Sequence, residues 1–420
     1  MAEDALAGSA DTAPLVAERR GGTFSSLQYR NYRYLWLGQV GHAASFWMEA
    51  IVRPLLILEL TDSELMVGLV VAARMAPMLL FGLLAGVAAD RFDRKRILLA
   101  TQSVTMAIHF LMAALALSGV IEPWHVFVTT FVSGTSMAFN QPSRQSLIPQ
   151  LVPKESLLNA VALNTTAINI MRILGPATAG LLLFSGFGAV YLLNGALIAA
   201  VMLCTVLMRL TREPRPTDGE AGWLDDLRES LRFVARDRAV LAVLGPALIL
   251  FVFGFPYQSV FVPLFAKRVL DLGNSGAAAL IMTTGFGAIV GSLFLASQAT
   301  LRRRGVLLLA FLALFSCGLL LFSRSTFLPL SIVALMATAS MSASYMTLTN
   351  GLLLELSPPE MHGRVMSLMS LDRGLIPLGA TLAGALAAWL GPPDALLVMA
   401  SVCLALTALV AAVAPSLRRL

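Results

Sequence analysis

The 420-residue chain is 57% hydrophobic and only 13% charged, about half the charged share of an average soluble domain. So apolar a composition excludes a fold whose whole surface is solvated by water. The net charge of +6 is spread between apolar segments and not gathered on one basic domain, which argues against nucleic acid as a partner.

The tail over residues 1–28 carries Glu3, Asp4, Asp11 and Glu18 and no apolar run, so the first apolar segment is expected to direct membrane insertion without a cleaved signal peptide. Twelve apolar segments follow, each near the length of about 20 residues that crosses a hydrocarbon core. The first six are predicted near Tyr34–Leu60, Leu65–Ala89, Ile97–Ser118, Trp124–Arg144, Leu157–Ser185 and Ala189–Arg209. The second six are predicted near Val240–Ala266, Ala277–Ser297, Gly305–Ser323, Phe327–Glu355, Val365–Leu390 and Asp394–Ala414. The expected fold is an all-α membrane protein of two pseudo-symmetric six-helix bundles, over residues 29–210 and 239–420. Between them lies a linker over 211–238, in which Leu224, Leu227, Leu231 and Val234 share one face of an amphipathic helix. Such a helix lies in the interface with its arginines toward anionic lipid.

With the N-terminus inside, 23 of the 30 Lys and Arg residues fall at cytoplasmic ends and loops, and only Lys267, Arg268 and Arg324 fall outside. The bias places both termini in the cytoplasm. A repeat joins the halves: Leu151-Val-Pro-Lys-Glu155 before the fifth segment echoes Leu356-Ser-Pro-Pro-Glu360 before the eleventh. Each leads to a mid-helix arginine, Arg172 or Arg373, followed by helix-breaking residues, Gly175, Pro176 and Gly180 or Pro377 and Gly379. Parallel repeats of six helices point to a transporter.

Ionisable groups at bilayer depth cost several kcal/mol by order of magnitude unless a partner or a cavity receives them, so they are candidate functional residues. Glu49, Arg53, Arg74, Arg172, Asp372 and Arg373 qualify. Glu49 and Arg53 stand one helical turn apart on one face, which suits either proton exchange or a structural ion pair. Arg74 lies near the midplane, as a partner for Glu49 or a receptor for an anionic substrate. Asp372 and Arg373 are adjacent and point about 100° apart, so they cannot share one partner. The residues Phe46, Trp47, Met48, Phe251, Phe253, Phe255, Tyr257 and Tyr345 suit an adaptable apolar cavity, although such side chains more often pack or face lipid.

Cys204, Cys317 and Cys403 lie far apart in apolar runs, and His42, His109, His125 and His362 follow no ligand spacing, so neither metal nor cofactor is expected. No phosphate-binding glycine loop is present, which excludes an ATP-driven pump on this chain. A membrane-embedded enzyme is a remote alternative, for want of a clustered acid, base and nucleophile.

The loop Gly86-Val-Ala-Ala-Asp90-Arg91-Phe-Asp93-Arg94-Lys95-Arg96 resembles the signature loop of major facilitator superfamily transporters. Gly86 is expected to let two helices approach and Asp90 to accept a hydrogen bond from a helix N-terminus or an arginine. Arg91, Arg94 and Arg96 would hold the cytoplasmic face, making a conformational latch. Asp93 stands where the family usually has glycine. From Tyr29 to Ala414 the chain resembles the branch of that superfamily holding enterobactin exporters and macrolide efflux pumps. The resemblance is carried by residues 29–39, by Asn140-Gln-Pro-Ser-Arg-Gln-Ser-Leu-Ile-Pro149 and by Arg364-Val-Met-Ser367. Gly175-Pro176-Ala-Thr-Ala-Gly180 is similar to part of the antiporter motif of drug exporters, or else simply kinks and packs a helix. The resemblance implies proton-coupled efflux of a small amphipathic molecule, drug, macrolide or siderophore-like, by alternating access. It implies a monomer in the bacterial inner membrane, with the substrate, protons and membrane lipid as partners. Uptake, or flipping of a lysophospholipid-like molecule, is the alternative for the same fold.

Overall fold

A computed structural model describes residues 22–209, 238–298, 303–356 and 374–413. In the first half run α1 (Arg30–Thr61), α2 (Glu64–Arg91), α3 (Arg94–Leu117), α4 (Pro123–Leu151), α5 (Lys154–Leu182) and α6 (Phe187–Leu207). The turns between them are short and locally encoded. Asp62 ends α1 in the left-handed region, at φ 52°. Ser63 caps α2 through a hydrogen bond from the Met66 amide, 3.5 Å. Asp93 caps α3, accepting from the Lys95 and Arg96 amides at 2.8 and 3.4 Å. The aspartate that departs from the family's glycine therefore starts a helix, because its carboxylate satisfies amides that the first turn leaves free.

The second half begins with α7, an interrupted helix made of Arg238–Ile249, Leu250–Gly254, Tyr257–Phe261 and Val262–Arg268. It continues with α8 (Gly273–Ser297), α9 (Arg304–Ser323), α10 (Leu328–Leu356), α11 (Ile376–Leu390) and α12 (Pro392–Val413). No strand occurs among the described residues. The predicted linker helix and the predicted start of α11 lie outside them.

Two elements differ from the sequence expectation. Helix α4 does not stop at Arg144 but continues through Pro149 to Leu151. The extension is favoured because it buries Leu147 and Ile148 against Tyr32, Leu35 and Leu98. Helix α7 is not continuous: two wide π-turns flank Pro256, and the Phe255 amide bonds to the Leu250 carbonyl at 2.6 Å. Proline has no N–H to extend a regular ladder, and a π-bulge is one way a helix absorbs that loss.

Among the described residues, nine helical spans are long and apolar enough to cross a membrane. Helices α1 and α4 are as long but carry buried polar side chains, including Gln39, Ser45, Glu49 and Arg53 on α1 and Thr129, Thr130, Asn140 and Arg144 on α4. They can afford this because neighbours screen that face from lipid. Arg144, which the charge count assigned to a cytoplasmic end, is 4% exposed inside the first half.

Within the first half α3 packs on α4 and α6, α2 on α4, and α1 on α5 and α6; within the second, α8 and α9 pack on α10, and α9 and α11 on α12. The halves meet along α2 with α11 and α5 with α8. The first contact is glycine-dependent: a Cβ on Gly68 would strike the Ala380 carbonyl and, at 2.8 Å, the Gly384 Cα. Nearby, Arg268 pairs with Asp62 at 2.7 Å and Glu64 at 3.1 Å. Lys267 reaches Glu59 at 3.6 Å, and Asn274 donates to the same carboxylate at 3.1 Å. Hydrogen bonds and ion pairs join the halves at this Asp62 end and at mid-depth. At the opposite end a Cβ on Gly86 would meet nothing within 4 Å, so the close approach expected there is not made in this conformation.

Candidate functional site

The buried charges of the first half converge on Glu49, which is 5% exposed. Helical spacing brings Arg53 onto the same face, and its Nε donates to Glu49 Oε1 at 2.8 Å while a second guanidinium nitrogen pairs with the same oxygen. Arg53 is 1% exposed, and its remaining donors go to the hydroxyls of Thr129 and Thr130 on α4, at 3.2 and 2.7 Å. From α2, Arg74 approaches the other carboxylate oxygen at 3.9 Å. It also donates to the Phe46 carbonyl at 2.8 Å and lies 4.3 Å over the Phe46 ring. His109, on α3 and fully buried, places Nδ1 3.7 Å from Glu49 Oε1. Its Nε2 shares a hydrogen bond with Ser45 at 3.2 Å.

One carboxylate thus faces two guanidiniums and an imidazole at a depth where each unpaired charge is costly. A cavity of about 30 Å³, room for about two waters, borders Glu49 and Arg74 and is also lined by His42, Gln102 and Asn140. Its walls come from α1, α2, α3, α4 and α6, so it lies inside the first half and not between the halves.

Of the predicted site residues, the structure gathers Glu49, Arg53 and Arg74. Arg172 lies elsewhere, on α5, where it faces Gln258 of α7. Asp372 and Arg373 lie outside the described residues. His109 was missed because the histidines were weighed only as metal ligands; its position inside an apolar span was the signal to use. Among the described residues, no His, Cys, Asp and Glu side chains group as a metal site.

The glycines of the α5 motif lie against neighbouring helices. A Cβ on Gly175 would come within 2.8 Å of the Trp47 Cβ, and one on Gly180 within 2.8 Å of the Ala278 Cβ, while Pro176 sits inside a continuous α5. In the loop after α2, Arg94 donates to the carbonyls of Ala89 and Ser146, at 2.8 and 3.3 Å. Lys95 donates to those of Val206 and Met208, at 2.9 and 2.6 Å. Arg91 is exposed, Arg96 reaches only Asp93 at 3.6 Å, and the side chain of Asp90 lies outside the description.

Residues 21–419 match the family described as transmembrane secretion effector. The staphyloferrin A transporter of Staphylococcus aureus is 26% identical over 353 residues, covering 83% of this chain and 84% of that protein. Macrolide efflux protein A of Streptococcus pyogenes is 25% identical over 390 residues, covering 87% and 92%. Among solved structures, a point variant of the nucleoside transporter NupG superposes with a TM-score of 0.74 at 13% identity, covering 91% of this chain and 99% of that one.

Proposed function

The chain belongs to the transmembrane secretion effector family of multi-pass major facilitator transporters, and from that premise we propose that it exports a small amphipathic molecule in exchange for protons by alternating access. The observation that carries the coupling role is the Glu49 cluster: a single carboxylate whose neighbours on α2 and α3, Arg74 and His109, approach to 3.9 and 3.7 Å without direct hydrogen bonds. Arg53 is on the carboxylate's own helix and moves with it. Arg74 and His109 belong to other helices, so rearrangement within the first half alters what neutralises Glu49. A proton from the bordering cavity then replaces the lost charge partner, and the neutral carboxyl favours a different arrangement of α1 against α2 and α3.

In this reading the Asp62 end faces outward and both termini are cytoplasmic, as the basic-residue bias supports. The cross-half ion pairs close the outward side, which makes this conformation inward-facing. The loop after α2 then acts as a latch in the opposite state: Asp90, Arg91 and Arg94 tie the halves together when the cytoplasmic side closes. Here the described ties of Arg94 and Lys95 stay within the first half. The location is the bacterial inner membrane and the working unit a monomer, surrounded by membrane lipid.

The test is transport in inverted membrane vesicles, acid inside, with a radiolabelled macrolide and a radiolabelled carboxylate siderophore as probes. Accumulation of either probe that disappears when an ionophore collapses the pH gradient is the expected result. Uptake in the opposite direction, or accumulation indifferent to the gradient, overturns the proposal.

A further inference from the structure

Arg172 is a cation in a different position from those around Glu49. It lies on α5 with its guanidinium 5.2 Å over the Trp47 ring of α1. Its one hydrogen bond is a long one, 3.3 Å, to the Gln258 carbonyl oxygen on the π-turned stretch of α7. Gln258 is oriented by its own amide, which donates to Thr284 on α8 at 2.9 Å. The buried Nε of Arg172 has no hydrogen-bond partner. A guanidinium offers five N–H donors in a planar fork, so most of its capacity is unused at a point where α1 and α5 of one half meet α7 and α8 of the other.

The contrast with the remaining arginines decides what is missing. Arg53 and Arg74 share Glu49, and Arg268 pairs with Asp62 and Glu64. No carboxylate of a described residue lies within ion-pair distance of Arg172. Arg144 also lacks an acid and leaves one guanidinium nitrogen without a partner, but its long bonds to Asn140 and the Leu35 carbonyl, at 3.4 and 3.5 Å, hold it inside the first half and away from the seam. A charge at such depth is kept only where something compensates it during the working cycle, and a planar fork matches a carboxylate in two-point geometry.

Resting on the transport reading above, we propose that Arg172 is the docking point for a carboxylate on the transported molecule, with Trp47 receiving an apolar part beside it. The anion takes the place of the Gln258 oxygen on the guanidinium, so docking loosens a contact between the halves and tells the rearrangement that cargo is present. Phe46, under Arg74, stacks edge-on with Trp47 at 5.3 Å. Trp47 therefore stands between the Arg172 guanidinium and the Phe46 ring beneath Arg74.

The experiment uses the full chain in detergent with Trp47 as its sole tryptophan, Trp36, Trp124, Trp223 and Trp389 being replaced by Phe. Two probes of similar skeleton and opposite charge, 4-phenylbutyrate and 4-phenylbutylamine, are titrated against Trp47 emission. The carboxylate should change the emission saturably and the amine should not. Arg172→Gln should weaken carboxylate binding at least tenfold, and Arg172→Lys, which keeps the charge and loses the fork, by less. A monodisperse elution profile for each variant excludes misfolding as the cause. Absence of carboxylate binding, equal binding of both probes, or carboxylate binding unchanged in Arg172→Gln overturns the assignment. Gradient-driven flux measured on the same wild-type protein separates the two readings: binding through Arg172 without flux contradicts the transport reading alone, and flux without such binding contradicts this one alone.

Discussion

Glu49 holds its two oxygens for different partners, Oε1 for Arg53 and His109 and Oε2 for Arg74. Removing the carboxylate strands two guanidiniums, and breaking a buried pair from one side costs about 3–5 kcal/mol. Glu49→Gln should therefore lower the thermal unfolding midpoint in detergent, and the double change Glu49→Gln with Arg53→Gln should recover part of the loss. Strictly additive losses would show that the two residues do not act as a pair. The supporting hydroxyl is testable separately. Thr130 accepts from Arg53 at 2.7 Å, and Thr130→Val leaves that buried donor unsatisfied, at about 1–3 kcal/mol. An unchanged midpoint would mean that another acceptor replaces it. The pairing of Glu49 with Arg53 was legible in sequence because helical periodicity fixes which residues share a face. The approach of His109 and the threonines was not, because it depends on which helices pack together, and that is set by small-residue contacts far away in the chain.

Among the elements, α2 borders the Glu49 cavity and also packs closely on the other half. Its Gly68 lets the α11 backbone come close, so Gly68→Leu should keep the Asp62 end from closing while leaving membrane expression intact. In a background without native cysteines, Asp62→Cys with Arg268→Cys should cross-link readily, and much less so once Gly68→Leu is added. Equal cross-linking would show that α2 and α11 separate without opening that end. The loop after α2 gives a second prediction: Asp90→Ala should abolish transport without loss of expression if the loop latches the alternate state. Normal flux would reduce it to a membrane anchor. Apolar run lengths read the helix count and α-class correctly. They could not anticipate α4 running past Pro149, or the π-turns around Pro256, since both depend on the packing of neighbouring elements. The glycines of the signature loop and of helix 5 looked alike in sequence; only Gly175 and Gly180 meet a neighbouring helix here.

For the whole molecule, the decisive feature is the separation of two polar sites. Glu49 lies inside one half, whereas Arg172 lies between the halves. The ion pairs that join the Asp62 end each have at least one partner a third or more exposed, and such surface pairs are worth about 1 kcal/mol or less, so they hold the closed end lightly enough for exchange between states. The orientation assigned to that end is read by reporter fusions: cytoplasmic reporters at both termini should be active, and an inactive one at either end would contradict the topology. The coupling account meets its most direct test in inverted vesicles carrying Glu49→Gln, with whichever probe the wild-type protein accumulates. A permanently uncharged residue 49 should abolish accumulation driven by the pH gradient while exchange of the probe down its own gradient persists. Gradient-driven accumulation undiminished in Glu49→Gln would contradict it.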